Sequence, residues 1–362
     1  MSEPQASPSR EPAMRWGVGF AIAAAVLFGA STPVAKELLG KAVTPQILAG
    51  LFYLGSGVGL GVGLLVRRSA SRAAGEARLR RSDLPPLCIA VLLGGVVAPV
   101  LAMAGLARTS AASASLLLNL EGLLTMLIAW VAFRENVDRR LLIGAMAILA
   151  GAAVLSWSGG SVRPGAGALL IAGACAAWAV DNNVTRSLAR ADPVQIAAIK
   201  GLVAGGANLS LGLATQGHMP SLSITLAAGL TGFLAYGVSL VLFVLGLRNL
   251  GTARTAAYFS TAPFIGAALS VWALSEPVTG RLIAAGLLMG TGLYLHLRER
   301  HDHLHRHEAM EHEHRHVHDE HHQHRHDPSD PPGEPHSHRH RHEPLTHAHP
   351  HYPDLHHRHG HS

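Results

Sequence analysis

The 362-residue chain has a formal net charge of +6 and is 49% hydrophobic, but these averages join two unlike segments. Residues 1–300 hold 23 Lys and Arg against 12 Asp and Glu, whereas residues 301–362 hold 6 against 11 and carry 23 of the 25 histidines. The basic excess sits in short connections between apolar runs, which favours a membrane-topology signal over a nucleic-acid footprint. The two cysteines, Cys88 and Cys175, each lie inside an apolar run, so no disulfide framework is implied.

In chain order, residues 1–15 form a polar, Pro- and Ser-containing segment, expected to be cytoplasmic. Ten apolar stretches follow at about 16–39, 45–66, 85–106, 110–133, 140–158, 165–188, 194–215, 223–246, 252–274 and 279–297. Each comes close to the roughly 20 residues that a helix needs to cross a bilayer core. They are apolar nearly all round, so the bilayer is their solvent. The first lacks a cleavage pattern and reads as a span, not a removed signal peptide. Short connections make neighbours antiparallel. With the N-terminus inside, the inner segments collect Arg10, Arg15, Arg67, Arg68, Arg72, Arg78, Arg80, Arg81, Arg134, Arg139, Arg140, Arg190, Arg248, Arg298 and Arg300. The outer ones keep Lys41, Arg108, Arg163 and Arg281. That asymmetry predicts an inner-membrane protein with both termini cytoplasmic.

An internal repeat is visible at an offset of 150, which superposes Phe28 on Trp178, Thr32 on Asn182, Val34 on Val184 and Lys36 on Arg186. The fourth and ninth spans correspond in the same way, ending at Glu135-Asn136-Val137 and Glu276-Pro277-Val278. Five spans is an odd number, so the second half is inverted relative to the first. Inverted repeats are a common basis for alternating access, with substrate held near the midplane.

Phe28-Gly29-Ala30-Ser31-Thr32-Pro33-Val34-Ala35-Lys36, Leu120-Glu121-Gly122, Ser260-Thr261-Ala262-Pro263 and Glu276-Pro277-Val278-Thr279 occur in an order and spacing that resemble the EamA type of the drug/metabolite transporter superfamily. The resemblance implies an all-α integral membrane fold of ten helices in two inverted five-helix repeats, 16–158 and 165–298. It also implies export of small metabolites or amino-acid-like compounds. Gly122 stands where the family usually has proline, while Pro263 keeps it, so a softer helix break is expected in the fourth span than in the ninth.

Polar residues inside apolar spans supply the candidate substrate site, because charge at mid-bilayer is costly and needs a partner or a wet cavity. Asp181, with Trp178, Asn182 and Thr185, forms one stripe at spacings of three and four, and is expected to face the central cavity in an ion-coupling role. Ser115 and Asn119 lie about 200° round the fourth helix from Glu121 and Thr125. Asn119 is taken for substrate contact and Glu121 for an ion or proton role. Lys36 and Lys200 complete the set, Lys36 with snorkelling to an interface as its alternative. Asn183, Glu135 and Glu276 read as structural, and Tyr236, Tyr258 and Trp272 as packing. Nothing in the chain forms a nucleophile–base pair, a phosphate loop or an HExxH motif, so no enzymatic chemistry and no required cofactor are expected.

The tail, 301–362, reads as a disordered cytoplasmic segment, polar and interrupted by prolines. Its His-x-His pattern is competent to bind Zn, Ni, Co or Cu ions. The foremost candidate ligands are His301, His303, His305, His307, His312, His314, His316, His318, His321, His322, His324 and His326. The expected partners are a small-molecule substrate, the lipid bilayer and divalent transition metals, with no nucleic acid and with homodimerisation left open. Two further functions compete: an exporter of a transition metal or metal chelator with the tail as sensor, and a membrane-tethered metal buffer.

Overall fold

The computed structural model describes residues 10–41, 43–70, 81–133, 139–156, 165–185, 188, 192–216 and 218–297. In the tail it describes the backbone of 301–307, 310–316, 336–342 and 345–351. Nine helices among these residues are long and apolar enough to cross a membrane. Lipid offers the backbone no hydrogen bonds, so each crossing segment satisfies its own as a helix. The tenth helix, Gly280–Leu297, is eighteen residues long with Arg281 and His296 near its ends, and it packs along the fifth, Arg139–Ser156. Large apolar side chains such as Trp272, 80% exposed, clothe the outside.

Packing follows the inverted repeat. The second span, Pro45–Ala70, lies on the seventh, Pro193–Gln216; the fourth lies on the ninth, and the fifth on the tenth. Other contacts come as reciprocal pairs. The first span, Arg10–Gly40, packs on the eighth, Leu222–Leu250, as the third, Arg81–Ala107, packs on the sixth, Ala166–Thr185. The contact between the second and seventh spans is made by backbones in near touch. A Cβ on Gly201 would lie 2.7 Å from Gly57, and one on Gly57 2.4 Å from the Leu202 nitrogen. Small residues make such approach feasible where no hydrophobic effect drives helices together.

Symmetry extends to the irregularities. The third and eighth spans each contain a π-helical stretch, Ala90–Val97 and Phe233–Val238. The fourth and ninth are each broken. Ala111–Leu117 and Asn119–Phe133 are separated by Leu118 alone, whereas Thr252–Phe259 and Ala262–Leu274 are separated by Ser260 and Thr261. The break is shorter where Gly122 replaces proline; in the ninth span Pro263, lacking an N–H, sits in the first turn of the resuming helix.

In the tail, β1 (His301–His307) pairs antiparallel with β4 (Leu345–His351), and β2 (Met310–His316) with β3 (His336–His342). This backbone pairing differs from the disorder that composition suggests. Among the described residues each ladder has two strands, an arrangement that is marginal in water without further support. His318, His321, His322, His324 and His326 fall outside the described residues, as do Glu135 and Arg186.

Candidate functional site

A cavity of about 40 Å³ lies between the two repeats. The first span supplies Phe28, Ser31, Thr32 and Ala35, the third Ala102, Met103 and Leu106, the fourth Ala114 and Leu118, the sixth Ile171 and Trp178, and the eighth Tyr236. Leu118, the residue at the break of the fourth span, therefore reaches the cavity wall. The lining is apolar with three hydroxyls, of Ser31, Thr32 and Tyr236, and an indole. Its volume admits only a few waters.

The face of the bundle away from the chain ends, here the far face, is tied by two charged side chains. Lys36 Nζ donates to the carbonyls of Leu106 at 2.8 Å and Thr109 at 2.7 Å, where the third span ends. The Glu276 carboxylate accepts from the backbone N–H groups of Ala111 at 2.6 Å and Ala112 at 2.8 Å, where the fourth span begins. A cation thus meets the negative end of one helix, and an anion the positive end of the next. Ser110 caps that same start by accepting from Ser113 N at 3.2 Å. Glu276 holds the helix-end role expected of it, but the helix end belongs to the other repeat.

On the other side of the cavity the sixth span faces three elements. Trp178 Nε1 donates to the Gly94 carbonyl at 3.0 Å, and Tyr53 Oη donates to the same oxygen at 2.7 Å. Asn208 Nδ2 donates to Gly95 O at 3.1 Å. These side chains collect carbonyls of the π-helical stretch in the third span, a kind of interruption common at functional sites. Gly94 is required here by close approach, since a Cβ on it would meet the Asp181 carboxylate.

Asp181 is buried and ion-paired with Lys200 of the seventh span, and accepts from Thr185 Oγ1 at 3.0 Å. Asn182, one residue on, turns to the fourth span and donates to Glu121 Oε1 at 2.9 Å and Thr125 Oγ1 at 3.3 Å. Asn183 donates to Thr125 O at 3.1 Å and Ala179 O at 2.9 Å, a structural bond between helices.

Of the eight residues singled out from the sequence, Trp178 alone is among the cavity-lining residues. Asp181, Asn182, Glu121 and Lys200 form a polar group beside it. Asn119 and Ser115 face elsewhere: Asn119 Nδ2 donates to Leu116 O at 2.9 Å and approaches Met289 of the tenth span, while Ser115 is buried against Gly266 of the ninth. Tyr236, taken for packing, lines the cavity and also packs on Phe28 at 5.8 Å and Tyr53 at 5.6 Å between ring centroids. Sequence reasoning missed Tyr53 and Asn208. Asn208, a buried amide in an apolar span, carried the usual signal of an intramembrane polar residue. Tyr53 carried none.

The profile of the EamA-like transporter family matches twice, over residues 15–157 and 165–298. The chain belongs to that family. This EamA-like transporter is a multi-pass membrane protein. It is 29% identical over 300 residues to an uncharacterized transporter of Methanothermobacter thermautotrophicus, covering 77% of this chain and 85% of that one. A solved structure described as the crystal structure of a protein is 22% identical and covers 80% of this chain and 97% of its own, with a TM-score of 0.55. That likeness concerns the fold.

Proposed function

We propose that this transporter exports small metabolites or amino-acid-like compounds by alternating access around the cavity between its repeats. The reading rests on the position of that cavity, lined by both repeats and bounded on the far face by residues that Lys36 and Glu276 hold in place. At about 40 Å³ it is too small for such a solute, so binding requires the repeats to part. The Arg and Lys distribution supports an orientation with both termini cytoplasmic and the far face on the outer side of the inner membrane.

The test is efflux from proteoliposomes loaded with a panel of amino-acid-like and metabolite solutes. Ala114→Trp or Thr32→Leu, which fill the cavity, are expected to reduce efflux of the transported solute at least tenfold without loss of folded protein. Undiminished efflux in both would place the path elsewhere.

A second reading gives the tail a metal-binding role. The strand register supports it: His303 stands opposite His349 and His305 opposite His347, while His312, His314 and His316 stand opposite His340, His338 and His336. At intervening positions the backbone register sets Glu311 opposite Arg341 and Glu313 opposite Arg339. Titration of Zn²⁺ and Ni²⁺ into the full chain and into a chain lacking 301–362 distinguishes the tail from the membrane domain. Equal uptake by the two would remove the reading.

A further inference from the structure

Two carboxylates lie beside the cavity, and the structure treats them differently. Asp181 is buried, and its charge is matched by Lys200, with Thr185 donating to the second oxygen. This pair is neutral as a unit. Glu121 sits near the middle of the fourth span, three residues beyond the Leu118 break, and its side-chain partner is an amide, Asn182 Nδ2 at 2.9 Å. An amide donor favours a carboxylate but does not cancel its charge. The titratable and charged groups whose fields reach Glu121 are Asp181 and Cys175 on the sixth span, Lys200 on the seventh, Tyr53 on the second and Tyr236 on the eighth. The cation among them is already taken by Asp181.

Access differs too. Glu121 is half-buried and Asn182 exposed, whereas Asp181 is closed off by packing against Gly94. At mid-span such exposure is not in itself water contact; water reaches Glu121 when the repeats part beside the Leu118 break.

We propose that Glu121 is the proton carrier that couples transport, and that the Asp181–Lys200 pair is a fixed structural neutraliser. This deepens the alternating-access reading and rests on it. Glu121 takes a proton from water on one side of the membrane, becoming a neutral acid that can be enclosed when the repeats close over it. It returns that proton to water on the other side, and the resulting carboxylate accepts again from Asn182. One proton is bound and one released in each cycle, with no other reactant.

The assignment is testable without knowing the transported solute. Dicyclohexylcarbodiimide, a lipid-soluble reagent for protonated carboxyl groups in apolar surroundings, is applied to the full-length protein in liposomes from pH 5.5 to 9. Adducts are then located by peptide mass spectrometry. The expected result is an adduct on Glu121 that falls at least tenfold across this range, with none on Asp181. Asn182→Ala, which removes the donor to the charged form, should carry labelling of Glu121 to higher pH. Labelling of Asp181 in place of Glu121, no Glu121 adduct at pH 5.5, or a Glu121 adduct that ignores pH overturns the proposal. Glu121→Gln supplies the second measurement: solute efflux should lose its dependence on a pH gradient, and retained dependence speaks equally against Glu121. If labelling fails while efflux persists, the proton assignment falls and transport stands; if labelling behaves as expected but no solute moves, the transport reading falls and the coupling role of Glu121 falls with it.

Discussion

Replacing Glu276 by alanine removes both acceptors that hold the start of the fourth span to the ninth. The two bonds, at 2.6 and 2.8 Å, are charge-assisted, and hydrogen bonds of that kind contribute about 1.5–3 kcal/mol each where water is excluded. Glu276 is only partly buried, so water replaces much of what is lost, as at exposed ion pairs. A net of about 1–2 kcal/mol remains, or a factor of about 5–30 in the balance between closed and open far face. The assay places a single reactive thiol in the cavity, as Ser31→Cys with Cys88 and Cys175 both changed to serine. Its modification by a membrane-impermeant maleimide is timed from the far face. Glu276→Ala should raise the modification rate about 5- to 30-fold, by the same estimate. A rate within twofold of the Glu276 parent would mean that these bonds do not hold the far face closed, and the reasoning would fail at that step.

Two further expectations concern stability in detergent. Asp181→Asn or Lys200→Met alone leaves one buried charge uncompensated and should cost about 3–5 kcal/mol, whereas the double variant should recover most of that loss; additive effects in thermal unfolding would show that the two groups are not coupled. Gly57→Ala puts a Cβ 2.4 Å from the Leu202 nitrogen and should lower the unfolding temperature by several degrees, while Gly63→Ala, with no atom within 4 Å of its added Cβ, should leave it unchanged. Equal behaviour of the two glycine variants would refute close backbone contact between the second and seventh spans.

The helical architecture was legible because the bilayer imposes it: a run such as residues 85–106, apolar all round, has no other way to satisfy its backbone. The repeat was legible because the offset that aligns Phe28 with Trp178 reflects equivalent positions, each ring meeting the π-helical span of the other repeat, at Tyr236 and Gly94. What periodicity could not supply was the identity of partners. Asp181 and Asn182 share one stripe of the sixth helix, yet one meets Lys200 and the other Glu121, because two different helices border that stripe. Asn119 lies just past the Leu118 break, where regular helical spacing no longer relates it to the cavity. Lys36 read as a substrate-site candidate or a snorkelling residue, and only the fold reveals the carbonyls of Leu106 and Thr109 at its tip.

The pairings of the second span with the seventh, the fourth with the ninth and the fifth with the tenth map onto themselves when the repeats are exchanged, whereas the first–eighth and third–sixth contacts map onto each other. If each repeat adopts the shape that the other has here, the second–seventh and fifth–tenth pairs can serve as the axle, while the fourth and ninth spans exchange shapes within their pair and the first–eighth and third–sixth contacts exchange places. The third span then acquires the surroundings of the eighth, and the fourth acquires the wider break of the ninth. The opposite-facing conformation can accordingly be drafted residue by residue from this one, with the Gly57–Gly201 crossing as the fixed point of the drawing.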